Sequence, residues 1–172
     1  MTAQEIKRLL GLEPLSREGG WYKKSYRSDE FLPDGALPGR AGPHVAGGAI
    51  LFLLEAHTYS RMHRLQTDEV YHFYLGTPVE LLILRPDGTG ERVVLGQDIQ
   101  NGQRVQAVVP RGCWQGSRVL PGAAADAYAL IGTTLAPDYE EADYEDGEMD
   151  ALIAAYPAFE AALRVLAGAP QY

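Results

Sequence analysis

The sequence predicts a mainly β protein, an antiparallel sandwich or barrel, with one short helix before the sheets and two short helices after them. Three observations lead there. From Ile50 onward, short runs rich in β-branched and aromatic residues recur at a spacing of roughly eight to twelve residues. Turn signals such as Pro86, Asp87 and Gly88 separate these runs. Helix-forming composition is confined to the two ends. At 172 residues the chain has the length of one domain with a substantial core. Residues 1–172 are therefore read as a single domain, with a barrel core over about 20–135 and a helical segment over about 146–167.

The elements follow in order. Thr2, Ala3, Gln4 and Glu5 form a capping-box pattern ahead of apolar Ile6, Leu9 and Leu10, and Gly11 stops the helix. Trp21, Tyr22 and Tyr26, with charges between them, suit an extended segment. Residues 33–48 contain three prolines and five glycines, which makes them a loop, and a loop of that length beside a site can act as a lid. Strands follow at AILFLLEAHTYS, EVYHFYL, VELLILR, ERVVL, VQAVVP, WQGSRVL and AYALIGTT. Met149 to Leu166 is helical by composition, interrupted by Pro157 and stopped at Gly168.

Composition excludes several classes of function. The net charge of −8 is local, because residues 138–150 (DYEEADYEDGEMD) carry eight carboxylates and no lysine or arginine, while the rest of the chain is neutral. Nucleic-acid binding needs a basic stripe to displace counterions, and the sequence has none. The acidic run reads as a solvated loop leading into a helix N-terminus, where the helix dipole favours carboxylates. The longest small or apolar run, Ala46 to Leu54, has nine residues, too few for a membrane span. No secretion signal is expected. The lone cysteine, Cys113, rules out an intrachain disulfide and suits a reducing cytoplasm, so a cytoplasmic location is expected.

The densest chemistry lies in MHRLQTDEVYHFYLG, residues 62–76. In a strand over 69–75, Glu69, Tyr71 and Phe73 share one face, and Val70, His72 and Tyr74 the other. The same parity places Arg61 with His63 upstream. A carboxylate buried at Glu69 requires a partner, and Arg61 and His63 are the candidates. His72 falls on the opposite face, which favours packing over catalysis. Cys113 reads as a small buried apolar residue.

These segments carry a resemblance. Glu69, six intervening residues and Gly76 resemble the end of the first cupin motif, with His63 near that motif's second histidine. VPRGCWQ, residues 109–115, resembles the core of the second motif. Together with EGGWYKKSYRS early and APDYEEADYE late, the chain resembles a branch of small bacterial and fungal cupins of unknown function. The resemblance implies a double-stranded β-helix (jelly-roll) barrel with a ligand cavity at its mouth, and a homodimer.

The departures from the general cupin pattern bear on chemistry. Metal-binding cupins bring three histidines and a glutamate to one ion; here Arg61 takes the first histidine position and Gln115 the third. Only His63 and Glu69 remain, and a guanidinium repels a cation, so no resident metal is expected. The implied site is a pocket for a small polar or anionic metabolite, with Arg61, Glu69, Phe73, Gln115, Tyr26 and Tyr128 as ligand-binding residues. The arrangement resembles metal-free cupins that epimerise nucleotide-linked sugars, which implies metal-independent isomerisation or epimerisation of a sugar-like substrate with His63 as base and a tyrosine, Tyr71, Tyr26 or Tyr128, as acid. The alternatives are a non-catalytic ligand-binding or sensing module and a metal-dependent oxygenase or isomerase.

Overall fold

The capping box forms at the N-terminus: Glu5 N donates to Thr2 Oγ1 at 3.2 Å and Thr2 N to the Glu5 carboxylate at 2.7 Å. It starts α1 (Ala3–Leu10), which ends at Gly11 in the left-handed region, φ 63°. The structure is a computed structural model that describes residues 1–166; the predicted stop at Gly168 and the last position of the 146–167 segment lie outside the described residues.

Thirteen strands follow among the described residues. The first four are β1 (Glu13–Pro14), β2 (Trp21–Arg27), β3 (Phe31–Leu32) and β4 (His44–Val45). The body comprises β5 (Gly48–Glu55), β6 (Tyr59–Arg64), β7 (Glu69–Gly76), β8 (Val79–Leu84), β9 (Gly90–Leu95) and β10 (Gln106–Val109). The last are β11 (Trp114–Val119), β12 (Tyr128–Leu135) and β13 (Glu145–Asp146). Helices α2 (Met149–Ala155) and α3 (Glu160–Leu166) close the described chain. The run AILFLLEAHTYS divides into the end of β5 and the start of β6, with a turn at Ala56 and His57.

Two antiparallel sheets stack face to face as a jelly-roll barrel. Six strands run in the order β1-β2-β5-β12-β7-β10, and five in the order β13-β6-β11-β8-β9. Their inner faces bury Phe52, Leu54, Tyr71, Phe73, Leu81, Ile83 and Ile131, with Cys113 among them. The predicted alternation of β7 holds, since Glu69, Tyr71 and Phe73 are buried while His72 reaches Thr134 and Gln106 on the outer face. α1 covers the outside of the larger sheet through Ile6, Leu53 and Leu130. α2 and α3 cover the smaller sheet through Leu82, Leu84, Leu152, Leu163 and Leu166. Each such leucine, fully buried, contributes about 2 kcal/mol of hydrophobic stabilisation. Among the described residues, no helix is long and apolar enough to cross a membrane.

One irregularity positions the site. Between β6 and β11, His63 pairs with Gln115 and Ser60 with Ser117, so Arg61 and Met62 together oppose the single residue Gly116. This is a β-bulge, and the extra residue resets which side chains face inward. Ser60 and His63 both point into the barrel although they are three apart, and Met62 joins the outer cluster under the helices. Gly116 is required there, because a Cβ would lie 2.7 Å from Met62 Sδ and 3.1 Å from Ser60 O. The strand parity expected for Arg61 and His63 is therefore corrected: the bulge separates them.

Candidate functional site

At one end of the barrel the two sheets enclose a cavity of about 450 Å³. Its walls come from β2 (Tyr22, Lys24), β5 (Gly48, Ile50), β12 (Thr133, Leu135), His63, Glu69, the loop at Leu15, Arg17 and Glu18, and residues of the 138–144 segment. A second hollow of about 670 Å³ lies on the other side of Tyr144, where Arg40, Arg64 and Arg111 face Asp68, Asp143 and Glu145. Its charges balance and pair with one another, as Asp143 does with Arg40 and Glu145 with Arg64. The first cavity, with an imidazole and two carboxyls lacking a lysine or arginine partner among the described residues, is therefore the candidate site.

His63 is held in one protonation state. Its Nδ1 lies 2.7 Å from the Arg61 carbonyl, which can only accept, so Nδ1 carries the proton. Its Nε2 then accepts from the Gln115 amide at 3.2 Å. Burial lowers the imidazole pKa, and the Glu69 carboxyl opposes that only in part, so His63 is a neutral ring near pH 7. Gln115 spends its other N–H on Glu69 Oε2 at 2.5 Å, which leaves its buried Oε1 without a partner among the described residues.

Two carboxyls share the cavity. Burial raises the pKa of Glu69; the neighbouring His63 opposes this, the Glu18 charge adds to it, and hydrogen bonds from Thr133 and Gln115 pull downward. Glu18 is half-buried, accepts from the Ser60 hydroxyl, and is pushed up to about 7 by desolvation. The bulge brings Ser60 to Glu18. Neither carboxyl has a lysine or arginine ion-pair partner among the described residues.

The cations nearby are already occupied. Arg17 binds Asp146 through Nε at 3.2 Å and Nη2 at 2.9 Å, and pairs with Glu141. Lys24 Nζ contacts both oxygens of Asp138, at 2.9 and 3.1 Å. Tyr144 stacks on His63 with ring centroids 4.8 Å apart, and the Arg17 guanidinium lies 4.2 Å from the Tyr144 centroid on its own contact. The Tyr144 hydroxyl is buried without a partner among the described residues.

The acidic run differs from the expected solvated loop. Its carboxylates meet partners from distant parts of the chain: Asp138 with Lys24 and Arg27, Asp143 with Arg40, and Glu140 with the His44 ring nitrogen at 2.8 Å. Glu145 pairs with Arg64, and Asp146 with Arg17 and Arg61. Residues 138–146 thus form a strap bound across one wall of the cavity, and the 33–48 loop is fastened to it through Arg40 and His44.

The structure distributes the sequence-predicted residues as follows. His63, Glu69 and Gln115 come together. Arg61 turns to Asp146 at 3.4 Å and does not line the cavity. Tyr71 and Phe73 sit in the core below, Tyr71 wholly buried with its hydroxyl pKa driven well up by desolvation. Tyr26 is 56% exposed on β2. Tyr128 lies on the outer face and donates its hydroxyl to the Met1 carbonyl at 2.8 Å. Among the cavity residues without a role in the sequence reading are Arg17, Tyr144 and Glu18, the last belonging to the family-like early segment. The signal for Glu18 was the stretch EGGW, in which Gly20 lets the chain pass against Phe52 and the Leu53 carbonyl.

A resident transition metal does not fit this donor set. Gln115 turns its N–H groups toward both His63 Nε2 and Glu69, and Arg61 is directed elsewhere. Among the described residues, no three His, Cys, Asp or Glu side chains converge in a metal-holding arrangement.

Comparison with known proteins follows the same lines. The sequence matches the family described as Cupin superfamily (DUF985) over residues 4–146. A solved hypothetical protein from Leishmania major is 27% identical, with a TM-score of 0.85, over 97% of this chain and 99% of that one. A Shewanella oneidensis protein is 31% identical with a TM-score of 0.83, covering 99% of each chain. An oxalate decarboxylase variant from Bacillus subtilis shares the fold at 15% identity and a TM-score of 0.53, over 90% of this chain and 35% of that one. No curated protein matches.

Proposed function

The chain belongs to the cupin superfamily, in the family DUF985, and from that premise we propose that it binds a small polar organic molecule in the cavity beside Glu18, His63 and Glu69, without a resident metal. One observation carries the reading: a hollow of about 450 Å³ whose apolar and aromatic walls surround a few convergent polar groups. Small-ligand sites have this construction and this size. Leu15, Ile50, Leu65 and Leu135 supply apolar surface, while Glu18, Glu69 and the Tyr144 hydroxyl give orientation. The test is thermal-shift screening against a metabolite panel, with elemental analysis of the purified protein. A saturable shift lost in both Glu18→Gln and Glu69→Gln supports the reading. Binding that survives both substitutions, or a stoichiometric metal, overturns it.

A second reading is metal-independent isomerisation or epimerisation of a sugar-like ligand, favoured by Glu18, whose carboxyl is pushed up to about 7. An acid–base group works best near the ambient pH. Glu18 suits this role better than His63, whose Nε2 is engaged by Gln115, or Tyr71, whose hydroxyl holds its proton too tightly. Recovery of the ligand from heavy water distinguishes the readings. Deuterium on a ligand carbon marks proton transfer, and unchanged ligand marks a binding module.

A further inference from the structure

We infer that the molecule held in this cavity presents a protonated amine to Glu18 and Glu69. This rests on the reading that the cavity is a ligand site, and it names the chemistry of the ligand.

The argument is one of unmatched groups. Two cationic side chains line the cavity, Arg17 and Lys24, against four carboxylates, Glu18, Glu69, Asp138 and Glu141. Both cations are spent. Lys24 is held by Asp138, and Arg17 by Asp146 and Glu141. Arg61, the cation that the cupin-like motif would have aimed inward, is drawn to Asp146. An anionic ligand would therefore find no free countercharge and would lie beside two carboxyls.

The remaining carboxyls lack a lysine or arginine partner among the described residues. Glu18 has the Ser60 hydroxyl, and Glu69 has Gln115 and Thr133, all of them neutral donors. His63 beside them is an uncharged ring fixed by Arg61 O and Gln115. Behind them Gln115, 1% exposed and outside the cavity lining, spends its N–H groups on His63 and Glu69 and adds no free donor. Tyr144, 8% exposed and in the cavity wall, has an unpartnered hydroxyl that can accept as well. Acceptors thus predominate. A protonated amine offers three N–H donors and one positive charge, which answers both deficits at once.

Other groups facing Glu18 do not cancel this attraction. Tyr71, Tyr139 and Tyr144 keep their hydroxyl protons, and Glu69, whose pKa burial raises, supplies no positive charge. Desolvation has pushed Glu18 up to about 7, so a bound cation gains most where the carboxyl is ionised, above that value.

Three charge series on matched scaffolds test the proposal: ethanolamine, ethylene glycol and glycolate; glucosamine, glucose and glucuronate; and diaminobutane, butanediol and succinate. Binding is read by thermal shift and calorimetry on the whole protein at about pH 8 and about pH 5.5. The expected result is an amine that binds about tenfold or more above its neutral counterpart at the higher pH, with the gap closing at the lower. Glu18→Gln, checked for native circular dichroism, removes that preference. In the wild type, the carbon NMR titration midpoint of Glu18 falls when the amine is added. A neutral or acidic member that binds as tightly as the amine overturns the inference but leaves the cavity reading standing, provided its binding is lost in Glu18→Gln. Failure of every amine at millimolar concentration also overturns the inference, and the metabolite screen then judges the cavity reading on its own.

Discussion

Replacing Glu18 by Gln is expected to stabilise the ligand-free protein above neutral pH and to leave it nearly unchanged in mild acid. Its carboxyl titrates at about 7 in the folded state against an ordinary value of 4.5. Between those limits the folded protein retains a proton that the unfolded chain has released, so the stability contributed by Glu18 is lost as pH rises from 4.5 through about 7. At about 1.4 kcal/mol per pH unit, that interval caps the effect at about 3.4 kcal/mol. Partial exposure of the side chain lowers the expectation to about 1–3 kcal/mol at pH 8. Glutamine keeps an oxygen for Ser60, so that hydrogen bond survives. Urea unfolding of both proteins at about pH 5 and about pH 8 reads the difference. His63 acts with the opposite sign, because its depressed pKa gives stability that is lost as pH falls, but it is present in both proteins and cancels. Glu69 acts with the same sign as Glu18, and in the variant it loses a repulsive neighbour, which adds slightly to the gain. A difference independent of pH, or a variant less stable at pH 8, refutes the reasoning.

Three further substitutions follow from the geometry. Tyr144→Phe removes a buried hydroxyl without a partner and keeps the stack on His63, so thermal denaturation is expected to show no loss and a gain of up to about 1 kcal/mol. Gly116→Ala forces a Cβ to within 2.7 Å of Met62 Sδ inside the bulge, and urea unfolding is expected to register a cost of about 1–3 kcal/mol. Arg40→Ala leaves Asp143, whose side chain is 10% exposed, without its countercharge. A loss of about 3 kcal/mol is expected, with faster proteolytic cleavage between 136 and 146; equal cleavage rates would show that the strap does not depend on this pair.

The sheets were legible because strand alternation and turn residues are local signals. β7 shows its two faces in seven consecutive letters, and the capping box in four. The site was only partly legible. His63, Glu69 and Gln115 were found from motif spacing, but Arg61 was misplaced because parity counting assumes an unbroken strand. The bulge depends on Gly116, which lies in a different strand, and nothing near Arg61 announces it. Glu18 escaped because its place in the cavity is set by Ser60, 42 positions away. The acidic run read as solvated for the same reason: its partners Arg17, Lys24 and Arg40 lie about a hundred residues upstream, beyond any window in which charges can be matched.

The strap across the cavity wall has a consequence for traffic through it. Some of its carboxylates, Glu141 and Glu145, are held by ion pairs at the surface, and exposed pairs of that kind are as well served by water as by one another. Parting those outer fastenings would hydrate charges first, before Tyr144 leaves its packing on Leu65 and Leu135. Dissolved salt loosens such fastenings. On the proposed reading, a bound molecule is expected to leave faster as salt rises.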